Sequence, residues 1–173
     1  MGYSPVAKWF HWISVVLLAI ALPLGFVIGH VKDGSKMAFY AIHESAGLTL
    51  LLVAIARLLY RWRHPPPPAP HLSRLQHLAA ETVHRALYAA LILQPILGFL
   101  ATNAFGFPMQ GATAYLGFLD LPKFMETNEP LARALLTAHG WIGLAIVALL
   151  GAHIGAVIFH QAIRKDETLL RMV

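Results

Sequence analysis

The chain has 173 residues, of which 58% are hydrophobic and only 12% charged, about half the charged share of an ordinary soluble domain. A chain this apolar has too few polar side chains to cover its own surface in water, so its composition favours an integral membrane protein. The absence of cysteine excludes disulfides, iron–sulfur clusters and covalently attached haem. The net charge of +5 does not favour nucleic-acid binding, because the basic residues flank apolar segments instead of forming one basic domain.

Four apolar stretches are long enough to cross a bilayer, which takes about 20 residues in a helix. Continuous apolar runs predict helices, since the strands of a barrel would alternate. The predicted spans cover residues 9–29, 37–56, 86–107 and 134–159. Lys8 precedes the first span, as in a signal peptide, but the run is long and no clean cleavage site follows, so we expect it to be retained. The chain is therefore predicted to be an all-α, four-helix integral membrane bundle, with residues 1–173 forming a single transmembrane domain.

The distribution of lysine and arginine predicts the orientation of this bundle. If both termini are cytoplasmic, nine Lys and Arg side chains lie on that side and four on the other. Both termini are therefore expected in the cytoplasm. The proline-rich segment from Arg63 to Glu81 is predicted to link the second and third spans. The longer loop from Pro108 to Arg133 has a segment, residues 114–121, that is expected to lie along the opposite interface.

Ten histidines divide into two groups. Those in loops or at span ends are expected to be solvated or interfacial: His30, His64, His71 and His77. The others lie within spans or at their edges, where an ionisable side chain is costly and usually faces a partner inside the bundle: His11, His43, His84, His139, His153 and His160. An isolated histidine of this kind can simply form an interhelical hydrogen bond.

The depth of each histidine in the membrane distinguishes a ligand pair from an isolated hydrogen bond. His139 and His153 are fourteen residues apart, which is about 21 Å along a helix and nearly four full turns, so they share a face. His43 is level with His139 near the outer surface. His153 is level with two candidates near the inner surface, His11 and His84, and depth alone leaves that choice open. The histidines thus form two layers.

A pair of imidazoles in each layer favours haem. Structural zinc takes four protein ligands and catalytic zinc commonly three, whereas haem iron needs only two axial ligands because the porphyrin supplies four nitrogens. Glycines near the histidines would leave flat space between helices, although they also suit close helix packing: Gly47, Gly140, Gly143, Gly151 and Gly155. Cations that suit haem propionates are Arg57, Arg61 and Arg85 on the inner side and Lys32, Lys36 and Arg133 on the outer side. A metal transporter with a histidine relay is the non-redox alternative.

The sequence resembles the bacterial cytochrome b561 family over almost its whole length. The matching stretches are "YSPVAKWFHW", "YAIHESAGL", "RLLYRWRHPPPPAP", "HRALYAALILQPILGFL", "AHGWIGLAIVALLGAH" and "KDETLLRM". The resemblance implies that two non-covalent haem b groups are ligated by histidines on four positions: His11 and His153 in the inner layer, His43 and His139 in the outer. It also implies a quinone or proton site on the inner side, for which the candidates are His84, His160 and Lys165.

Members similar to this chain are described as superoxide:ubiquinone oxidoreductases. The resemblance therefore implies a multi-pass protein of the bacterial inner membrane that takes single electrons from superoxide and passes them to ubiquinone. The alternative is a cytochrome b subunit that carries electrons between a partner dehydrogenase and the quinone pool. Membrane lipid and quinone are expected partners in both cases.

Overall fold

The computed structural model describes residues 2–68 and 72–173 of the chain. Within these ranges the protein is all-α, with an isolated bridge between Tyr115 and Leu119 and no strand. Its long helices are α1 (Pro5–Val27), α2 (Lys36–Arg63), α3 (Arg74–Phe105) and α4 (Glu129–Ile158). All four are long and apolar enough to cross a membrane. The predicted four-helix membrane bundle is confirmed.

A capping motif, not hydropathy, marks where α3 begins. The Ser73 hydroxyl accepts a hydrogen bond from the Gln76 amide, and the Gln76 side chain accepts one from the Ser73 amide, so a capping box starts α3. α3 therefore begins well before the apolar stretch that starts at residue 86. The prediction of a linker reaching Glu81 was wrong in its second half, and His84 lies inside α3, not at its start.

The helices pack in chain order. Close backbone packing joins α1 to α2, α2 to α3, and α3 to α4, whereas in the described part of the chain α4 has no comparable packing against α1 or α2. A buried cluster fills the middle of the bundle: Leu50, Ala54, Ala90, Leu91 and Ile146. Because α4 faces α1 and α2 without touching them closely, the fold leaves a cavity between these helices on the outer side of the central cluster.

Both chain ends lie at one end of the bundle, which we call the inner end. The amide of Tyr3 donates to the carbonyl of Arg171 at 2.9 Å, and Trp12 Nε1 donates to the carbonyl of Met172 at 3.2 Å. The Arg171 guanidinium donates to the Pro67 carbonyl at 2.5 Å. The C-terminal tail, residues 165–173, is thereby held against α1 and against the proline-rich loop.

The opposite, outer end is covered by the loop between α3 and α4. Its residues 114–121 form tight turns that are hydrogen-bonded to α2, and Leu116 and Phe118 remain exposed. The amide of Leu116 donates to Ser45 Oγ at 3.0 Å, and the hydroxyls of Tyr115 and Thr49 lie 3.0 Å apart. Met109 is almost fully buried beneath this loop.

The outward faces of the helices are apolar. Val16 on α1, Leu52 on α2 and Ile154 on α4 are each more than half exposed, an arrangement that is stable in lipid and not in water. Exposed tryptophans lie toward the ends, with Trp62 near the inner end and Trp141 on the outer part of α4, as in the aromatic belts of membrane proteins. The chain is a multi-pass membrane protein.

Candidate functional site

The outer layer consists of His43 on α2 and His139 on α4. Their ring centroids lie 6.1 Å apart with an interplanar angle of 78°. Each Nδ1 lies 2.8 Å from a backbone carbonyl on a neighbouring helix, that of Ala21 for His43 and that of Gln94 for His139. Since a carbonyl can only accept, both Nδ1 atoms carry protons, and each neutral ring keeps a bare Nε2. This is the tautomer and the second hydrogen bond that metal-ligating histidines use.

Two glycines bring the outer imidazoles this close to the neighbouring helices. A Cβ added to Gly25 or Gly98 would lie 2.9 Å from the Cε1 atom of His43 or His139, respectively. Each glycine stands four residues after the carbonyl that its histidine contacts, with a proline between, in "ALPLG" (21–25) and "QPILG" (94–98). The sequence analysis missed both glycines, and this repeated pattern of proline followed by glycine was the available signal.

A cavity of about 270 Å³ adjoins the outer layer. Three of the glycines expected to leave flat space line it: Gly47, Gly140 and Gly143. A Cβ on Gly47 or Gly140 would meet nothing within 4 Å, so these positions keep the cavity open. Gln94 also lines it, and its buried Oε1 has no hydrogen-bond partner. Glu44 is the one acidic residue among its lining residues in the described chain.

The inner layer brings His11 on α1 to His153 on α4, with ring centroids 6.2 Å apart and an interplanar angle of 61°. His84 on α3 also reaches His153, with centroids 5.3 Å apart. The hydrogen bonding differs from that of the outer layer, because His11 Nδ1 lies 3.2 Å from the guanidinium of Arg57. Arginine only donates, so in this arrangement Nδ1 of His11 accepts and Nε2 carries the ring proton. Ligation through Nε2 of His11 would require this proton to move to Nδ1 and the hydrogen bond from Arg57 to break.

Gly151 and Gly155 do not leave space at the inner layer. Each is two residues from His153, which on a helix is a rotation of about 160° to the opposite face. Both are exposed, and a Cβ on either would meet nothing within 4 Å. The expectation that they flank the inner site was wrong, because sequence proximity to His153 is not proximity on the helix surface.

A small pocket of about 40 Å³ lies beside the inner layer. Arg57, Arg61 and His84 line it, and both guanidiniums lie over the ring of Tyr88, at 5.3 Å and 6.0 Å from its centroid. Arg85 is not part of it, since it is exposed and paired with Glu81 at 2.5 Å. At the outer end the expected cations do not line the cavity: Lys32, Lys36 and Arg133. Arg133 is exposed and paired with Glu129 at 2.6 Å.

His160 lies in a π-helical turn, Phe159–Arg164, that follows α4. It is nearly buried, and its Nδ1 lies 2.5 Å from the carboxylate of Asp166. Partial burial would raise the pKa of Asp166, but hydrogen bonds from Thr168 and His160 outweigh it and hold that pKa well below its usual range. Lys165, exposed, ends the turn with a left-handed backbone. Neither His160 nor Lys165 lines the pocket that contains His84 in the described chain.

The remaining histidines lie away from both layers. His30, His64 and His77 are exposed, as expected for residues at span ends. His64 stacks on Tyr60 with ring centroids 4.3 Å apart. His71 lies outside the described residues. Among those described, no group of three or more histidine, cysteine or acidic side chains is arranged to hold a bare metal ion.

The fold defines the class of protein, a four-helix membrane protein in which pairs of imidazoles face one another at two depths. Comparison with known proteins specifies the family. The family model described as prokaryotic cytochrome b561 matches residues 2–173, and the chain belongs to that family. Haem b binding and membrane electron transfer are the properties that this family implies.

Three curated relatives are similar along nearly their whole length. Cytochrome b561 homolog 2 of Escherichia coli K12 is 32% identical over 99% of this chain and 90% of its own. Cytochrome b561 homolog 1 of the same strain is 29% identical over 99% of this chain and 96% of its own. The "Probable superoxide oxidase CybB" of Yersinia pestis is 27% identical over 99% of this chain and 95% of its own.

The spacing of the imidazoles fits haem. A metal–imidazole bond is about 2.0–2.1 Å long and the nitrogen lies roughly 1.2 Å from its ring centroid, so imidazoles on opposite sides of one ion have centroids about 6.4 Å apart. The separations of 6.1 Å for His43–His139 and 6.2 Å for His11–His153 agree with this value. The 5.3 Å between His84 and His153 is too short. The geometry therefore favours His11 over His84 as the partner of His153.

The glycines that touch the outer imidazoles give the first testable prediction. Gly25→Ala and Gly98→Ala each place a Cβ against a ring carbon, so we expect each to displace its histidine and to lower haem content at the outer layer only. Gly155→Ala is the matched control, because its added methyl group meets open space. Haem per protein, measured from the pyridine haemochrome spectrum, should fall toward half in the two variants and stay unchanged in the control. Unaltered haem content in both would contradict this role.

The Asp166 carboxylate gives a prediction about the C-terminal tail. Asp166→Asn removes the charge that holds His160 and the Thr168 amide, so we expect the free energy of unfolding to fall by about 1–3 kcal/mol. The lowered pKa of Asp166 means that the stabilisation is present at neutral pH and is lost as the pH falls below about 4. Thermal unfolding in detergent at pH 7 and pH 3 measures this, with exposed Glu167→Gln as control. An equal effect of both variants at pH 7 would contradict it.

Proposed function

We propose that this protein is a di-haem electron-transfer protein, with one haem b between His43 and His139 and a second between His11 and His153. The observation that carries the proposal is the recurrence of the same imidazole separation, near 6 Å, at two depths of the bundle. A single interhelical hydrogen bond would not need that distance. It would draw the two ring nitrogens to about 3 Å.

Different residues of the chain have different roles in this proposed function. The carbonyls of Ala21 and Gln94 orient the outer imidazoles, while Gly47 and Gly140 keep the adjoining cavity open. The central apolar cluster lies between the two layers and excludes water from the interior. Haem, when bound, supplies one-electron redox chemistry, and the protein supplies its position and surroundings. Fourteen residues of α4 separate the two layers by about 21 Å. Together the two layers would therefore carry electrons from one side of the membrane to the other.

The proposed overall reaction is the oxidation of superoxide coupled to the reduction of ubiquinone. Two superoxide anions each lose one electron and become dioxygen, while one quinone gains two electrons and two protons and becomes quinol. The name of the Yersinia pestis relative supports superoxide as the donor. Lys32 and Lys36 lie at the outer start of α2, where they would attract an anion. The proposal places both termini in the cytoplasm and the bundle in the bacterial inner membrane.

The quinone is proposed to react at the inner end, where His84, His160 and Lys165 are found. His160 is the residue best placed to handle a proton, because its Nδ1 lies 2.5 Å from the Asp166 carboxylate, which holds the imidazole in one orientation. His84 lines the pocket beside the inner layer. Lys165 ends the π-helical turn next to His160 and adds a positive charge there.

Removal of single histidines tests the haem assignment. His43→Ala and His139→Ala should lose the same haem, and His11→Ala and His153→Ala should lose the other. Reduced-minus-oxidised spectra with haem quantification distinguish the two groups. His84→Ala should keep both haems, and exposed His30→Ala controls for purification. If His84→Ala, and not His11→Ala, resembled His153→Ala, the inner pairing would be wrong.

Quinol formation tests the donor and the acceptor. Protein in nanodiscs, supplied with superoxide and a short-chain ubiquinone, should form quinol at a rate that is abolished by superoxide dismutase. Heat-denatured protein with the same haem content is the control for free haem. If dithionite reduces both haems but superoxide produces no quinol, superoxide is not the donor. A partner dehydrogenase is then the better candidate for the electron donor.

A further inference from the structure

The pocket beside the inner layer is too small for a quinone in this structure. His84 lines the pocket, and its ring centroid lies 5.3 Å from that of His153, so a molecule bound there would lie next to the inner layer. The pocket volume of about 40 Å³ holds no more than about three water molecules, and a quinone ring with its substituents is far larger. A quinone therefore reaches His84 only if one wall of the pocket moves.

The C-terminal tail supplies the wall that is packed least firmly. Met172 of the tail lines the pocket, together with residues of α2 and α3 and with Tyr3, whose amide donates to the tail. Each of the tail residues 165–173 is exposed or half-buried, whereas α2 and α3 are long helices packed on their neighbours. Segments with little buried surface open locally at a low cost in free energy. The tail is therefore the wall expected to move.

Hydrogen bonds at the surface hold the far end of the tail. The Arg171 guanidinium donates to the carbonyls of Pro67 and Pro68 at 2.5 and 3.0 Å, and Tyr3 and Trp12 donate to two carbonyls of the tail. Such bonds are readily exchanged for bonds to water. The buried Nε of Arg171 has no hydrogen-bond partner among the described residues. The closed position therefore carries a cost that opening would remove.

The near end of the tail is anchored more firmly. Lys165 ends the π-helical turn with a φ of 53° and directs the chain back toward the bundle. Asp166 then accepts a hydrogen bond from the Thr168 amide at 3.0 Å and lies 2.5 Å from Nδ1 of His160, which is nearly buried. A tail that stays fixed at Asp166 while its far end is released would swing away from the pocket.

Building on the proposed reaction of quinone at the inner end, we infer that the C-terminal tail is a lid over the quinone site. The lid is closed while Arg171 binds the proline-rich loop. When that contact breaks, a quinone ring takes the space beside His84, next to the inner layer. The lid carries out no redox step of its own. It limits the access of quinone to the fraction of molecules that are open, and it excludes water when it is closed.

Release of the far end of the tail gives the first test. Arg171→Met removes both hydrogen bonds to the proline-rich loop and keeps a long side chain, so a larger fraction of molecules should be open. Reoxidation of stoichiometrically reduced protein by a limiting amount of short-chain ubiquinone should then become about tenfold faster. Arg164→Met is the matched control, because Arg164 is an exposed arginine next to the tail but outside it. Stopped-flow absorbance of the haem provides the measurement.

Spin labels measure the movement itself and need no electron transfer. The chain has no cysteine, so a pair of introduced cysteines can be labelled alone. Leu75→Cys at the start of α3 and Leu170→Cys in the tail are both at exposed positions. Short-chain ubiquinone added to the oxidised protein in nanodiscs should lengthen and broaden the distribution of distances between the two labels. Trp62→Cys paired with Leu75→Cys joins α2 to α3 and should show no change.

Three outcomes would overturn the lid: an unchanged or slower reoxidation in Arg171→Met, an equal acceleration in Arg164→Met, or a label distance that quinone leaves unchanged. The proposed function fails separately, if quinone does not reoxidise the reduced wild-type protein. In that case the label distance in the oxidised protein still decides whether quinone opens the tail. Equal helix content in all variants, from circular dichroism, shows that each is folded.

Discussion

The hydrogen bonds from His43 to the Ala21 carbonyl and from His139 to the Gln94 carbonyl are the interactions on which the outer layer depends. Each ties a side chain of one helix to the backbone of another inside an apolar bundle, where an unpaired polar group costs several kcal/mol. The bond fixes the ring plane and leaves Nε2 unprotonated. It also requires close approach, which explains why a glycine stands where each ring meets the neighbouring helix.

The packing of the bundle complements this requirement. α4 packs closely on α3 but not on α1 or α2, although α1 and α2 carry the histidines that face it. The outer cavity lies between these helices, beside His43 and His139 and next to the central cluster around Leu50 and Ile146. The buried cluster thus lies in the middle of the bundle, and the two histidine layers lie on either side of it.

The two ends of the bundle are closed in different ways. At the outer end the loop between α3 and α4 is tied to α2 through Ser45 and Thr49. At the inner end the C-terminal tail is held by the N-terminal segment and the proline-rich loop. The inner end also gathers Arg57, Arg61, the two histidines that approach His153, and the His160–Asp166 pair. Charged and titratable side chains therefore gather at the inner end of the bundle.

The sequence by itself determined the membrane class, the four helices and the two depths at which histidines lie, because hydropathy and a fourteen-residue spacing are local properties of the chain. Only the tertiary structure decided which imidazoles face one another at 6 Å, since His11 and His84 are equivalent in depth and differ in the separation of their helices from α4. The same holds for Gly25 and Gly98, for Asp166 beside His160, and for the exposed side on which Gly151 and Gly155 lie. Those relations depend on how each helix is rotated about its axis relative to its neighbours. Helix packing sets that rotation, and the sequence of one helix does not reveal it.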